Sequence, residues 1–427
     1  MFQTKISLGL IGAWLLCGCT AAWGQFNMGI DIEQAPFLYS KSPDDNPVSR
    51  LRDKLVAGDA TLEYSPERGN LQALLAALDV PESSQVLVFS KTSMQVRYIS
   101  SRNPRAIYFN DDTYVAWIYG SSLVEISTAD AHLGTAFYTI DMAPKRPKLQ
   151  RAFYDCMGCH ATALTQGVPG HTVRSVFPMI DGTVDTKRES FMTDDSSPLA
   201  ERWGGWYVTG THGDMTHMGN SFMRGTQFDT RTNGNLEVLR DEFNTQHYLS
   251  PYSDIVALMV LEHQTQMHNS LTRADFFVRQ LQHETQDLEV TDDTQREWQE
   301  QLRMIAKEVV DRLLFCQEAK LTSPVQGSNA FSEEFTARGP RDSQGRSLRD
   351  FDLTSRMFRY PCSYMIYSSS FTALQPALRT EIYAQLQRVL SGQAGGEEYR
   401  HLDEQTRRDT LSILRETLVD FPASSPQ

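Results

Sequence analysis

The sequence predicts an α+β fold in three successive regions behind an N-terminal leader. Short β-branched and aromatic runs dominate residues 25–145, which predicts a small unit with an antiparallel sheet. Glycine, tryptophan and histidine crowd residues 146–250 with little periodicity, which indicates an irregular, loop-rich region. Apolar residues at helical spacing predict a helical C-terminal region at 251–427. Because the 427 residues exceed the usual single-domain size, several regions are expected.

The first 24 residues have the features of a signal peptide. Lys5 supplies a positive charge before an apolar run at 6–16 that is too short to span a bilayer stably. The tetrapeptide 16–19 resembles a bacterial lipoprotein cleavage box, which would place a lipid anchor on Cys19. Small residues at 22–24 instead suit ordinary cleavage after that segment. Both alternatives predict an exported protein, either periplasmic or a membrane-tethered lipoprotein.

Local patterns give the elements of the N-terminal region. Helices are predicted at 48–56 and 69–78, where leucines recur. Strands are predicted at 85–89, 95–99, 106–109, 114–118, 123–126 and 135–140. We expect no catalytic residue in this region.

Residues 156–160 have the sequence Cys-Met-Gly-Cys-His, the attachment signature of a c-type haem. Two thiols at this spacing add to the two vinyl groups of haem, and the histidine that follows lies beneath the iron as its proximal ligand. The sequence therefore predicts one covalent haem c, bound through Cys156 and Cys159 with His160 on the metal. The middle region is then cytochrome-c-like.

A zinc half-site and a redox dithiol are the alternatives for this motif. A zinc site would need a second pair of ligands, and the sequence has no second CxxC and no HxxxH. A thioredoxin-like dithiol would not need His160, and no βαβ pattern surrounds the motif. Export favours haem, because c-type haem is attached outside the bacterial cytoplasmic membrane.

The loops that follow the motif are the candidate walls of a haem pocket. Haem propionates need cationic or hydrogen-bonding partners, and Arg174, Arg202 and Trp206 are the candidates in these loops. Solvated surface charges and ordinary core tryptophans are the alternative interpretation of the same residues.

The sixth ligand of the iron decides the function. Methionine or histidine there gives a six-coordinate haem for electron transfer, whereas an open position permits peroxide or oxygen chemistry. Met218 and His217 rank first because they lie in a glycine-rich loop near two tryptophans. The other candidates are His171, His212, Met215, Met223, His263 and Met267. At an open site, His212 or His217 could act as a distal acid/base.

The C-terminal region contains several apolar stripes and two unassigned cysteines. Helices are predicted at 256–281, 298–316, 382–389 and 411–418, with a polar excursion at 323–350. Cys316 and Cys362 remain after the leader and the motif take the other four cysteines, so a disulfide between them is expected in an oxidising compartment. Two buried free thiols are the alternative.

The net charge of −13 argues against nucleic acid or an anionic membrane face as partner. A redox protein or a small-molecule oxidant is the expected partner. Neither the substrate nor the oligomeric state follows from the composition.

Three segments carry a family resemblance. They are 87–93 with 104–111, then the motif through GVPGH (167–171), RSVFP (174–178) and ERWGGWYVTGTHG (201–213) to HMGN (217–220), and finally 253–258 with 261–269 and RYPCSY (359–364). With these segments the chain resembles a large uncharacterised family of secreted bacterial proteins with a cytochrome-c-like, single-haem domain. The resemblance covers nearly the whole mature chain. It implies haem binding and electron transfer, and names no substrate.

Two functions are therefore expected from the sequence. The first is an exported c-type cytochrome that passes electrons between redox partners. The second is a haem-dependent oxidoreductase, peroxidase- or oxygenase-like, with an open distal site. Chain length favours the second, because a bare electron carrier needs only about a hundred residues, while the lack of a second CxxCH argues against a di-haem peroxidase. A haem that serves as a sensor or structural element is a third interpretation.

Overall fold

The structure, a computed structural model, describes residues 30–230 and 234–422. The predicted signal peptide at 1–24, with Cys17 and Cys19, lies outside these residues. The described chain is a mixed α/β structure that contains the predicted antiparallel sheet. No helix in the described part of the chain is both long and apolar enough to span a bilayer.

Nine α-helices and eleven strands occur in the described ranges. The helices are α1 (Pro47–Ala57), α2 (Leu71–Ala77), α3 (Tyr154–His160), α4 (Ile255–Thr285), α5 (Asp292–Leu313), α6 (Phe331–Ala337), α7 (Ser369–Thr372), α8 (Pro376–Leu390) and α9 (Glu404–Thr417). The strands are β1 (Val86–Val88), β2 (Arg105–Phe109), β3 (Thr113–Ile118), β4 (Leu123–Asp130), β5 (Gly134–Asp141), β6 (Leu149–Ala152), β7 (Arg174–Ser175), β8 (Phe191–Met192), β9 (Trp206–Tyr207), β10 (Met223–Arg224) and β11 (Gln227–Phe228).

Seven strands form one sheet in the order β6-β5-β4-β3-β2-β1-β9, and all neighbours are antiparallel. Side chains alternate between its two faces. On one face, residues such as Tyr108, Val115 and Ile126 join a buried core with leucines of α1 and α2. The opposite face meets α4 at one end, where Phe109 and Tyr114 belong to a second core.

Helix α4 is the centre of this second core. Every residue from 255 to 269 is buried, so this part of the helix is enclosed on all sides. The sequence predicts an amphipathic helix here, with His268 directed away from the face shared by His263 and Met267. The structure instead buries all three side chains, because the sheet covers one side of α4 and the C-terminal helices cover the other.

The three predicted regions share elements and cores. Strands β6 and β9 come from residues 146–250 and complete the sheet of the N-terminal region. The predicted strand at 95–99 is wrong, since Val96–Tyr98 form a single 3-10 turn. The positions beside β1 are taken by β2 and β9, which leaves no sheet edge there for this segment.

The structure shows Cys316 and Cys362 as free thiols, not as the predicted disulfide. A left-handed turn at Phe315 (φ 55°) directs the chain back, and the Cys316 amide bonds to the Asp311 carbonyl. Burial raises the pKa of both thiols, that of Cys362 to about 12. The alternative interpretation of two separate thiols therefore describes this part of the structure.

Candidate haem attachment site

The CxxCH motif directly follows strand β6 and lies against one face of the sheet. Ala152 at the end of β6 pairs with Phe137 of β5, and α3 begins two residues later. The His160 ring lies against the Phe137 ring, with 4.8 Å between their centroids. Cys156 and Cys159 are three residues apart in α3, so both thiols belong to the same side of the helix.

The imidazole of His160 is held in one tautomer. Its Nδ1 lies 2.8 Å from the carbonyl oxygen of Gly170. A carbonyl can only accept, so Nδ1 carries the proton and Nε2 keeps its lone pair. Burial lowers the pKa of His160, with the Gly170 hydrogen bond opposing and Arg105 reinforcing the shift, so the ring is neutral at pH 7. Within the described ranges, no hydrogen bond is formed at Nε2.

The carbonyl that orients His160 is fixed by helix α4. Asn269 accepts a hydrogen bond from the His171 backbone N–H at 2.8 Å and donates one to the His171 carbonyl at 2.7 Å. This clamp lies one residue after Gly170. A Cβ at position 170 would overlap the Asn269 amide oxygen, which explains the glycine. The orientation of the His160 ring thus depends on the buried core helix α4.

Replacing Asn269 by leucine tests this clamp. Two buried backbone groups of His171 would lose their partners, and we expect a loss of about 2–4 kcal/mol in unfolding free energy. A weaker Nδ1 hydrogen bond would also make His160 a less basic ligand, so the reduction potential of bound haem should rise. Chemical unfolding and potentiometry measure the two effects. Asn70→Leu is the matched control, because Asn70 is fully buried and donates to the Leu62 carbonyl elsewhere; it should destabilise the fold without moving the potential.

Cys156 lacks the lowered pKa that a reactive redox thiol needs. Burial raises the pKa of Cys156 to about 11, and the negative charges of Glu125 and Asp155 add to the shift. A reactive cysteine needs the opposite shift, since the thiolate is the nucleophile. Cys159 is exposed. In the part of the chain that the structure describes, no group of three or more His, Cys, Asp or Glu side chains could hold a metal ion, which also gives no support to a zinc site.

One face of the sheet remains partly open to solvent beside the motif. Ile107, Ala116 and Glu125 are direct cross-strand partners on the central strands β2, β3 and β4. All three are partly exposed, while the alternate residues of these strands are buried. Antiparallel sheets commonly leave one face partly open to solvent, and this row belongs to such a face. The partly open surface around it is called the cleft below. A flat apolar ring could lie against it.

An ion pair lies at the floor of this cleft. Arg105 donates to Glu125 at 3.2 Å, and both side chains are largely buried. The charge of Arg105 lowers the pKa of His160 and that of Glu125 raises it, and Glu125 also raises the pKa of Cys156, so the ion pair lies within electrostatic range of the motif. Ser127 of β4 lies two residues further along the same face and bonds to Nε2 of His171 at 2.9 Å. The cleft is therefore bordered by the motif, a charge pair and a buried histidine.

The residues around the motif fit a covalently bound haem. A neutral imidazole presents Nε2, two thiols lie on one side of a short helix, and a partly apolar cleft adjoins them. Large apolar side chains also remain exposed in or near α3: Tyr154 is 84% exposed and Leu164 is 45% exposed.

Arg174 and Trp206, two of the predicted propionate partners, belong to one group. The Trp206 indole N–H donates to the Arg174 carbonyl at 3.0 Å. Val88 of β1 has two direct cross-strand partners, Arg105 of β2 on one side and Trp206 of β9 on the other. The side chains of Trp206 and Arg105 therefore lie on the same face of the sheet. The Arg174 guanidinium is partly exposed and donates to Ser190. These two residues lie at the β9 edge of the cleft-bearing face.

Arg202, the third predicted partner, is an interior residue. Its side chain is 5% exposed and pairs with the fully buried carboxylate of Glu262 at 3.2 Å. It also donates to the backbone carbonyls of Ser197 and Asp195. These partners engage the guanidinium fully, which assigns Arg202 to the core between the β8–β9 segment and α4.

Three acids lie close enough to act on this arginine: Asp195 and Glu262 are buried, and Glu318 is partly buried. Burial raises the pKa of Glu262 to about 7 and that of Glu318 to about 8. Burial also opposes ionisation of Asp195, but the hydrogen bond and charge of His263, helped by Arg312 and Arg202, lower its pKa to about 2. Burial therefore opposes the ionisation of Glu262 and Glu318, the charge of Arg202 partly offsets this at both, and Asp195 stays ionised.

Replacing Glu318 by glutamine tests the raised pKa. A folded-state pKa above the unfolded value of 4.5 gives stability that is present below pH 4.5 and is lost as the pH rises through 8. The variant should therefore be more stable than the parent at pH 8, by about 3 kcal/mol, and within about 1 kcal/mol of it at pH 5. Its amide oxygen can keep the bond from the Met357 N–H. Urea unfolding at the two pH values measures this; equal differences at both would contradict it.

Met218 and His217, the predicted sixth ligands, are buried in the loop after β9. Ser175 donates to the Met218 sulfur at 3.4 Å, and a Cβ at Gly204 would press on the Met218 methyl group. His217 lies edge-on to Trp203, with 5.4 Å between the ring centroids, and 4.8 Å from the ring of His212. Burial lowers the pKa of His217 to about 3. Both side chains pack with residues of the β7 and β9 loops.

Four other candidate ligands either form hydrogen bonds within the protein or are enclosed by its core. His263 bonds through Nδ1 to Asp195 at 3.0 Å and through Nε2 to Ser363 at 2.7 Å. Met267 is fully buried in the core of α4. The Nε2 of His171 bonds to Ser127, and the Nε2 of His212 accepts from the Asn235 backbone N–H at 3.1 Å.

Three residues near the motif were not among the sequence predictions, because no motif marks them. Glu125, Phe137 and Asn269 reach the motif only through strand register and helix packing. The alternating pattern of β4 predicts that Glu125 faces away from the buried side, and that is the signal that could have indicated it. Nothing in the sequence pairs Asn269 with His171.

No protein-family model, curated protein sequence or solved structure matches this chain. The assignment of the site therefore depends on the motif and its surroundings.

Proposed function

We propose that this protein is a c-type cytochrome with one covalent haem, held through Cys156 and Cys159 and ligated by His160, and that it transfers electrons between redox partners. The observation that carries the proposal is the Nδ1–H hydrogen bond from His160 to Gly170, 2.8 Å long. It fixes the tautomer that leaves Nε2 for iron, and a carbonyl partner of this kind is typical of metal-ligating histidine.

Bound haem would supply a one-electron iron couple. The chain's own residues provide the rest. His160 stays neutral through burial and its carbonyl partner, and Cys156 stays protonated until it reacts, because burial raises its pKa. The Arg105–Glu125 pair supplies fixed charges beside the ligand, and charge close to a haem iron shifts its reduction potential. The Arg174 guanidinium would serve the propionate edge at the far side of the cleft, and the Trp206 indole would hold the Arg174 backbone in place through its hydrogen bond to the Arg174 carbonyl.

Spectra of the holoprotein test this function. The chain, produced with a haem-maturation system, should show the absorption of a low-spin c-type haem in both oxidation states. Carbon monoxide should leave the reduced spectrum unchanged, because a saturated iron offers no position. Ready binding of carbon monoxide would support the haem-dependent oxidoreductase instead. Absence of covalent haem would contradict both functions.

Export is part of the same proposal. Haem attachment outside the cytoplasmic membrane requires the leader at 1–24 to act as a signal peptide, with Cys19 as the possible point of lipid attachment. Cell fractionation of the full chain and of Cys19→Ser separates the two alternatives. Membrane association that is lost in the serine variant indicates a lipoprotein; a soluble periplasmic parent indicates simple cleavage.

A further inference from the structure

The ring of Phe137 lies near two histidine rings on one face of the sheet. Phe137 belongs to β5, where Ser127 of β4 and Ala152 of β6 are its direct cross-strand partners. Its ring centroid is 4.8 Å from that of His160 and 6.3 Å from that of His171. The side chain is 5% exposed. Phe137 is therefore a buried residue in direct contact with the histidine of the motif.

The neighbouring histidine, His171, is held by both its ring and its backbone. Its Nε2 lies 2.9 Å from the Ser127 hydroxyl, and its backbone N–H and carbonyl bond to the Asn269 side chain. Ser127 is directly opposite Phe137, so its side chain points to the same face. Because close-packed interiors leave little free space, this fixed ring limits where the Phe137 ring can move.

The hydrogen bond from His160 to Gly170 fixes only one edge of the imidazole. Its Nδ1 lies 2.8 Å from the Gly170 carbonyl oxygen. One hydrogen bond does not prevent a ring from tilting about the line between its donor and acceptor atoms. The Phe137 ring lies against the imidazole, with 46° between the two planes, and occupies space that such a tilt would need. Gly170 thus constrains the edge of the ring, and Phe137 constrains its face.

We propose that Phe137 is a positioning residue for the haem ligand, setting the plane of the His160 imidazole, an inference that rests on the proposed function. Groups outside the ligand shell orient metal ligands and thereby tune the metal. A ligand has to be held within about 10–20° of its working geometry by neighbours whose own side chains are locked. Phe137 meets this requirement, since Ser127, Ala152 and His171 border it.

Phe137→Leu in the holoprotein tests the proposal. Leucine keeps an apolar side chain at this position and removes the flat ring. Covalent haem should be retained, because both thiols remain. The electron paramagnetic resonance g-values of the ferric iron should shift and their lines should broaden, since the imidazole no longer has a single plane. The reduction potential should shift as well.

Phe109→Leu is the matched control. Phe109 is 2% exposed and lies in the same cross-strand row, three strands from Phe137, which is about 14 Å away. Its ring packs with those of Tyr114 and Phe331. The variant also loses a buried aromatic ring, so its stability should fall in a similar way, while its g-values should equal those of the parent.

Nuclear magnetic resonance of the apoprotein gives a readout that needs no haem. In the parent, the His160 and Phe137 rings should show a nuclear Overhauser contact, and the His160 ring protons should be shifted by the aromatic ring current. In Phe137→Leu the ring-current shift should be lost, while the Nδ1–H tautomer of His160 should persist through Gly170.

The outcomes separate this proposal from the function beneath it. A parent without covalent haem contradicts the proposed function itself. Covalent haem in the parent, with parental g-values in Phe137→Leu, overturns the role of Phe137 alone. Equal changes in Phe137→Leu and Phe109→Leu also overturn it, because they would reflect lost core packing. If Phe137→Leu does not fold, the parent apoprotein decides, and absence of contact between the two rings overturns the proposal.

Discussion

Changing both Cys156 and Cys159 to serine is expected to abolish covalent haem while leaving the fold intact. Thioether bonds need both thiols, and serine hydroxyls do not add to the vinyl groups. The fold should survive because Cys159 is exposed and Cys156 is only partly buried, and neither belongs to a packed core. Absorption of the denatured, acid-extracted chain detects covalent haem, and circular dichroism with thermal unfolding of the apoprotein measures the fold.

Cys316→Ser is the control for this double variant. Cys316 is a partly buried free thiol at the end of α5, so its loss should leave the haem content at the parental level. Covalent haem that persists in the double serine variant would contradict the attachment assignment. Loss of haem in Cys316→Ser alone, with a stable fold, would move the attachment site elsewhere.

Changing Arg202 to methionine is expected to destabilise the protein by about 3–5 kcal/mol. The substitution leaves the Glu262 carboxylate without its cationic partner at a position that is 0% exposed, and it removes the donors to the Ser197 and Asp195 carbonyls. The remaining carboxylate must then be protonated or left uncompensated, and both options cost stability. Urea unfolding of the apoprotein measures the effect without any contribution from haem.

Arg174→Met separates a core role from a haem role. Arg174 is partly exposed and its guanidinium donates to Ser190, so its loss should cost about 1 kcal/mol or less. In the holoprotein, however, Arg174→Met should shift the midpoint potential if the guanidinium faces a propionate. A stable Arg202→Met protein with an altered haem potential would reverse these two assignments.

The grouping of Cys156, Cys159 and His160 could be predicted from sequence, because the proposed haem attachment depends only on local spacing. Cys156, Cys159 and His160 are close in space simply because they share one helical turn. The long helix α4 and most strands of the sheet could also be predicted, since their apolar patterns have the correct period. The predicted strand at 95–99 is wrong because its alternating pattern arises in a loop that is held by side-chain bonds to Glu125, without strand partners.

The surroundings of the motif could not be predicted, because long-range contacts create them. His160 meets Phe137 through the register of β5 with β6, and the backbone of His171, next to Gly170, is held by Asn269, ninety-eight residues away in sequence. Arg202 has the sequence context of a loop cation, yet its partner Glu262 lies on a buried helix. Pairs of this kind depend on the packing of α4 against the sheet, which has no local signature.

The most direct test of the haem assignment is the intact mass of the mature chain produced with a haem-maturation system, followed by peptide mapping. The account predicts a mass increase of one haem, carried by the peptide that contains residues 156–160, with both thiols of that peptide resistant to alkylation. An unmodified mass, with Cys156 and Cys159 both alkylated, would contradict it.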